Sequence, residues 1–353
     1  MHIRYAVLVL SMLCGAANAL AQGRECGTVL SPAQIEAELR RPPLEKSALA
    51  ALPPGQPYRI PLTIHICRMS DGTGGLPLAQ LDAAMLQLNG FYSTSGIQFF
   101  QYGDVIYIDN TSFFNIPDNQ AIRDMLRAQA VVANTVNVYF TNLDSLCGQG
   151  SFPTDPIQGV LMNNDCAGTA SNLSSFAHEL GHYLDLYHTH ETAFGMECPD
   201  GSNCSTTGDR VCDTPADPDL TNRVTGCTYN GGVSPPAGCG NTVYTPQVAN
   251  MMSYAPKNCR NMFTTGQINR MLATMTGSRK NLHTLIKYVD WNWPGAGSGS
   301  PEQPFRTIGG ALGAAAPGEV IFANAGIYGE NLTVQKQVQL RLWSNAGVVV
   351  IGQ

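Results

Sequence analysis

The sequence is poor in charge, and poorest in basic residues. Only 13% of its 353 residues are charged, 20 Lys and Arg face 26 Asp and Glu, and the net charge is −6. Phosphate neutralisation needs clustered cations, so no nucleic-acid partner is expected. Long apolar runs are missing as well. No segment reaches the roughly 18 uninterrupted apolar residues of a spanning helix, so no membrane span is expected. The paired C-x-x-C spacing of a zinc knuckle is absent, which argues against a thiolate-held structural zinc. Histidine is scarce, with seven in the chain, and four of them lie between His178 and His190.

What is present sets the compartment. "MHIRYAVLVLSMLCGAANALAQG" has a basic start, a short apolar run and small residues that fit a signal peptide over 1–21, cleaved after Ala19 or Ala21. A secreted, extracellular protein is expected. Ten cysteines remain after such processing, and in an exported chain they read as disulfides. Six of them fall between Cys198 and Cys259, in a Gly-, Asn- and Pro-rich region with little periodicity. Staples rather than regular structure are expected to hold that region.

The hydrophobic content of 44% supports one main core with appendages. Residues 22–57 are polar and punctuated by proline, with one helical pattern at "SPAQIEAELR" that Ser31 can cap. They read as a pro-segment. From Tyr58, "YRIPLTIHICRM" predicts a strand, "LAQLDAAMLQLNGFY" a helix, "IQFFQYGDVIYID" a pair of strands, "NQAIRDMLRAQA" a helix and "NTVNVYFTNL" a further strand. Helices and strands interleave, so the class is α+β with a modest sheet.

The histidine-rich stretch "FAHELGHYLDLYHTH" carries the chemistry. His178 and His182 are four residues apart and share one helical face, with Glu179 beside them where a carboxylate reaches a metal-bound water. His188 follows six residues later, so the helix must stop and the chain turn back before it. In the H-E-x-x-H-x-x-G-x-x-H pattern a glycine makes that turn. Asp185 stands there instead, and Asp is among the residues that best tolerate a left-handed backbone. Downstream, "NMMSYAPKNC" places Met252 two residues before Tyr254, the spacing of a methionine turn beneath a metal.

"HELGHYLDLYHTH", "GDRVCDTPAD" and "NMMSYAPKNCRNMFTTGQINRM", in this order, resemble the pappalysin (ulilysin-like) family of metzincin zinc metalloproteases. The resemblance implies a metzincin-type catalytic domain over 58–286, with a mixed sheet and helices above a cleft and an irregular, disulfide-bonded part below. It implies a secreted zinc endopeptidase acting on protein or peptide substrates. By the same resemblance His178, His182 and His188 are zinc ligands, Glu179 is the general base, Met252 the turn methionine and Tyr254 a catalytic residue near the metal. His190 is left over, as a surface residue or a neighbour of the ligands. Family members also bind calcium after the zinc helix, and Asp200, Asp209, Asp213, Asp217 and Asp219 supply hard oxygens there. The "ECGTVL" segment resembles a family motif in which a pro-segment cysteine, here Cys26, blocks zinc. A Cys26–Cys67 disulfide is the competing arrangement. The family pattern suggests Cys227–Cys259 and a bond from Cys239 to Cys198 or Cys204. Cys147 and Cys166 would close a loop just before the zinc helix, and Cys212 is a further disulfide candidate.

Residues 287–353 differ in character. Gly, Ser and Pro breaks precede short apolar strands at "EVIFAN", "LTV", "VQLRLW" and "VVVIG", resembling the first coils of a pectin-lyase-type parallel β-helix. About three stacked coils are normally needed for stability. One or two fit here, so this appendage is expected to dock on the catalytic domain, pair with another chain or be a remnant. A secreted binding or adhesion protein with an idle metal site is the alternative function. The intact Glu179 speaks against it, because structural zinc needs no base.

Overall fold

The computed structural model describes residues 26–41, 56–170, 173–344 and 346–352. The expected signal peptide and its cleavage positions lie outside them. Within the expected pro-segment, α1 (Pro32–Leu39) begins at Ser31, whose side chain and that of Gln34 form a reciprocal capping box.

The body is built on β1 (Tyr58–Arg68), which is buried along nearly its whole length. Parallel strands covered on both faces read as continuous apolar runs, and this one does. After α2 (Leu78–Phe91) come β2 (Ile97–Gln101) and β3 (Ile106–Asp109). The sequence suggested that these two runs pair with each other. Instead both run parallel to β1, β2 against Tyr58–Leu62 and β3 against His65–Arg68. The intervening residues do not reverse the chain, and Tyr102 N–H donates to Leu62 O to carry it along the same edge.

The short α3 (Thr111–Phe114) and β4 (Asn115–Ile116) precede α4 (Gln120–Arg127), β5 (Val136–Leu143), β6 (Gly148–Gly150) and β7 (Val160–Asn163). The sheet order is β2-β1-β5-β7-β6, with β3 and β4 added to β1 and β5. Only β6, at the edge, runs antiparallel to its neighbour. One face packs Ile60, Leu62, Ile64 and Ile66 against α2 and α5 (Ser175–Tyr183). The other gathers Cys67, Tyr139 and Leu161 over Phe113 and Leu126. Cys67 is therefore buried on the far face of the sheet from α5, and both it and Cys26 are free thiols. The alternative disulfide between them does not form.

Below α5 the chain from 184 to 264 has almost no regular structure beyond the two-residue strands β8 (Val224–Thr225) and β9 (Thr228–Tyr229). Disulfides Cys198–Cys239, Cys204–Cys212 and Cys227–Cys259 hold it, and Cys147–Cys166 ties the approach to α5. The open choice for Cys239 thus falls to Cys198. Helix α6 (Thr265–Thr276) then closes the body, again with a capping box.

The strands of residues 286–352 pair in parallel: β10 (Ile286–Val289), β11 (Val320–Ala323) and β13 (Gln339–Leu342) in one sheet, β12 (Gly326–Tyr328) and β14 (Val349–Ile351) in another. Helix α7 (Ile308–Ala314) lies beside them. The expected strand at 332–334 is irregular. This piece docks on the body: fully buried Trp343 donates its indole N–H to Pro57 O at 2.9 Å, and Phe322 meets Phe100 edge to face.

Candidate metal centre

Every residue of α5 is buried. The helix ends in a Schellman motif, with Leu186 N–H on Gly181 O and Asp185 N–H on His182 O. Asp185 occupies the left-handed position of that motif, at φ +74°. The reversal returns His188 to the face shared by His178 and His182. Gly181 is demanded by what lies beneath: a Cβ there would stand 2.5 Å from Met252 Sδ. Met252 is fully buried in the tight turn Asn250–Ser253, where Ser253 N–H bonds Asn250 O.

His178 Nδ1 lies 2.8 Å from Met251 O, and His182 Nδ1 lies 2.7 Å from Leu186 O. A carbonyl only accepts, so both rings carry their proton on Nδ1 and present bare Nε2 lone pairs. Those of His178 and His188 lie 3.2 and 3.1 Å from His182 Nε2. Burial holds all three imidazoles neutral, taking His182 down to about 3 and the other two well below their ordinary value. Neutral lone pairs converging this closely repel one another, and a cation among them relieves it. Cys26 Sγ completes the set: the four ligand atoms lie within 4.8 Å of one another, the one such group among the described residues. The donors are those zinc takes in tetrahedral sites.

Glu179 points to the edge strand. Gly150 N–H donates to its Oε2 at 2.8 Å, Thr28 Oγ1 lies at 3.3 Å and Cys26 Sγ at 3.4 Å. Burial raises this carboxyl to about 7, against the pull of those three donors. The thiol of Cys26 is pushed well up by burial and then by the Glu179 charge. The glycines of β6 are needed for this approach. A Cβ on Gly148 would meet Glu179 Cγ at 2.5 Å, and one on Gly150 would meet Glu179 O at 2.3 Å. Neither glycine stood out in the sequence, although Gly-Gln-Gly directly after a cysteine is an unusual strand and was the available signal.

The outer edge of β6 is taken by residues 26–28, within the expected pro-segment. Gly27 N–H bonds Gly148 O at 2.9 Å, and Thr28 Oγ1 both accepts from Gly150 N–H and donates to Gly150 O. Tyr254 reaches Cys26 O with its hydroxyl at 3.5 Å, and its ring lies 4.7 Å from that of His188. His190 stacks on His188 at 5.0 Å. Arg260, also missed, is fully buried and bonds Ser253 O and Ser174 Oγ, bracing the methionine turn against the start of α5.

Farther along, α1 is held by ions. Glu38 faces Arg270 and Arg210 at 3.1 and 3.2 Å, and Arg41 lies 2.6 Å from Asp185. The five aspartates do not converge. Asp213 caps α6 through Thr264 and Gly266, while Asp200 and Asp219 tie their own loops through Ser202 and Thr221. Asp209 and Asp217 differ: each keeps one buried oxygen without a hydrogen-bond partner. Buried Glu197, which the sequence did not single out, packs against Gly208 and raises Asp209 further.

Residues 121–276 match the family model described as pregnancy-associated plasma protein-A, peptidase M43. An extracellular metalloprotease of Colletotrichum graminicola is 32% identical over 299 residues, covering 78% of this chain and 99% of that protein. One from Arthroderma benhamiae is 29% identical, covering 76% and 96%. A solved promirolysin structure from Tannerella forsythia aligns at a TM-score of 0.48 and 22% identity, over 73% of this chain and 97% of that one. With a relative matched over almost its full length, the chain belongs to the pappalysin family of metzincin zinc metalloproteases.

Proposed function

We propose that the chain is a secreted zymogen of a zinc-dependent endopeptidase, with His178, His182 and His188 as metal ligands and Glu179 as general base. The observation that carries this is the convergence of three neutral imidazole nitrogens beside a buried carboxyl. His178, His182 and His188 would hold the zinc, which would supply the Lewis acidity that makes water a nucleophile near neutrality. Glu179 takes the proton of the attacking water and returns it to the leaving amine. Tyr254, beside His188, is placed to donate to the developing oxyanion. Met252 forms the floor that keeps Gly181 and the ligand helix in position.

Cys26 is the latency device in this reading. Its sulfur stands among the three ligands and against Glu179, so it takes both the water's place and the base's attention. The cation's charge would favour its thiolate, which burial alone disfavours. Residues 1–21 act as the signal peptide, 22–57 as the pro-segment, 58–286 as the peptidase and 287–353 as a docked β-rich appendage. Asp209 and Asp217 are the side chains best suited to calcium, because buried unpartnered carboxylate oxygens are stabilised by a hard cation, and burial-raised Glu197 lies beside Asp209.

A direct test is to express the chain, remove the pro-segment by limited proteolysis and assay casein cleavage with and without a zinc chelator. Chelator-sensitive cleavage that returns on adding zinc supports the reading. A zinc-loaded processed protein that cleaves neither casein nor gelatin defeats it.

A further inference from the structure

The pro-segment is a peptide already lying in the cleft, hydrogen-bonded along β6, so the surfaces its side chains cover report what the cleft accepts. Beyond Thr28, Leu30 and Ile35 pack on three aromatic side chains, Phe152, Tyr187 and Phe194. These rings form a continuous run from the metal centre: Phe152 is edge-on to His182 at 5.5 Å and contacts Tyr187 at 5.3 Å, and Tyr187 contacts Phe194 at 5.2 Å. All three are buried at 3 to 8% exposure with the pro-segment in place. The seat is not filled. A cavity of about 390 Å³ remains beside it, lined in part by Leu30, Phe152 and Tyr187.

We infer that Phe152, Tyr187 and Phe194 form a substrate subsite that selects an apolar side chain within four residues of the cleaved bond, the place Leu30 holds in the zymogen. The inference rests on the peptidase reading and adds the chemistry of one specificity pocket to it. Departure of the pro-segment uncovers aromatic surface next to the reacting centre, and a substrate strand laid on β6 carries its own side chains over the same surface. Burying an apolar side chain there favours it over a hydroxyl or a charge. Leu30 lies four residues from Cys26, which sets the distance from the bond.

The mature wild-type enzyme, processed from the full chain, is profiled on a proteome-derived peptide library. Peptide pairs that differ only by Leu or Ser at the enriched position are then timed with wild type, Phe194→Ser and Phe194→Leu. Phe194 is the ring farthest from the ligands, so its replacement spares the metal site. Apolar residues are expected to be enriched at one fixed position, with a Leu-to-Ser ratio in kcat/KM of roughly tenfold or more. That ratio should collapse in Phe194→Ser and persist in Phe194→Leu. A wild-type profile flat at every position within four residues of the cut overturns the inference, whatever the variants do. So does a ratio unchanged in an active Phe194→Ser. Failure of the peptidase reading looks different, as no cleavage of any peptide by the zinc-loaded wild type, and it removes this inference with it.

Discussion

Asp185 turns the chain at φ +74° between the second and third histidines, and Arg41, just after α1, lies 2.6 Å from its carboxylate. A glycine would make the same turn without the roughly 1–2 kcal/mol that a left-handed backbone costs other residues. The aspartate adds a carboxylate that reaches Arg41 on one side and Arg270, at 3.4 Å, on the other. The turn between the candidate ligands is thus also a docking point for the residues that follow α1.

The first prediction tests that docking. Glu38 of α1 is the partner for Arg210 and Arg270, whose side chains are only 8 and 3% exposed. Removing one partner of such a buried group typically costs about 3–5 kcal/mol. Glu38→Gln is expected to lower the melting temperature of the intact zymogen and to shorten the lag before tryptic activation several-fold. Unchanged melting and lag would show that the ion cluster contributes nothing to latency.

A second concerns the base. Glu179→Gln should retain zinc and the fold but lose peptidase activity by several orders of magnitude. The check is metal content by mass spectrometry alongside kcat/KM on one fixed peptide. Activity within tenfold of wild type, zinc present, would remove the mechanism.

A third concerns latency. Cys26→Ala removes the sulfur from the ligand group while leaving α1 and its ion pairs in place. Uncleaved variant protein is expected to cleave peptide measurably where the uncleaved wild type does not. If the variant stays silent until it is cut, backbone pairing to β6 suffices for latency and the cysteine is dispensable.

A fourth uses pH. Burial lifts Glu197 and Asp217 to about 7, above the ordinary carboxylate range near 4. Between about pH 4 and 7 the unfolded chain has lost protons that the folded chain keeps. Stability therefore falls as pH rises through that window and levels off above it. A calcium ion among these oxygens reverses the preference, since it favours the ionised forms. The buried neutral histidines act in the opposite direction, so the carboxyls' share is read by difference: calcium-free, zinc-loaded Asp217→Asn protein should gain melting temperature relative to wild type from pH 5 to 7, and added calcium should raise wild-type melting most above pH 7. Asp209→Asn should blunt the calcium response. A melting temperature indifferent to calcium at pH 8 would retire the calcium reading.

What the sequence by itself determined is what depends on neighbours in the chain. His178, His182 and Glu179 belong to one helix because the 3.6-residue period puts them there, and His188 forces a turn at Asp185 for the same local reason. The capped helix after Ser31 and the long strand from Tyr58 were legible on the same terms. Tertiary structure decided everything that needs two distant segments. Both β2 and β3 chose β1, because pairing depends on the direction in which the chain returns and not on how apolar it is. Ten cysteines carry no address, and only the path of the loops brought Cys239 to Cys198 while leaving Cys67 on the far face of the sheet from α5. The five aspartates look alike in sequence, yet one caps α6, two tie their own loops and two keep buried oxygens without partners, a distinction set by solvent access and the groups packed around each. Gly150 is required by the backbone of the helix that crosses it and Gly148 by the Glu179 side chain that lies on it, both from about thirty residues away, and that distance lies beyond the reach of any local pattern.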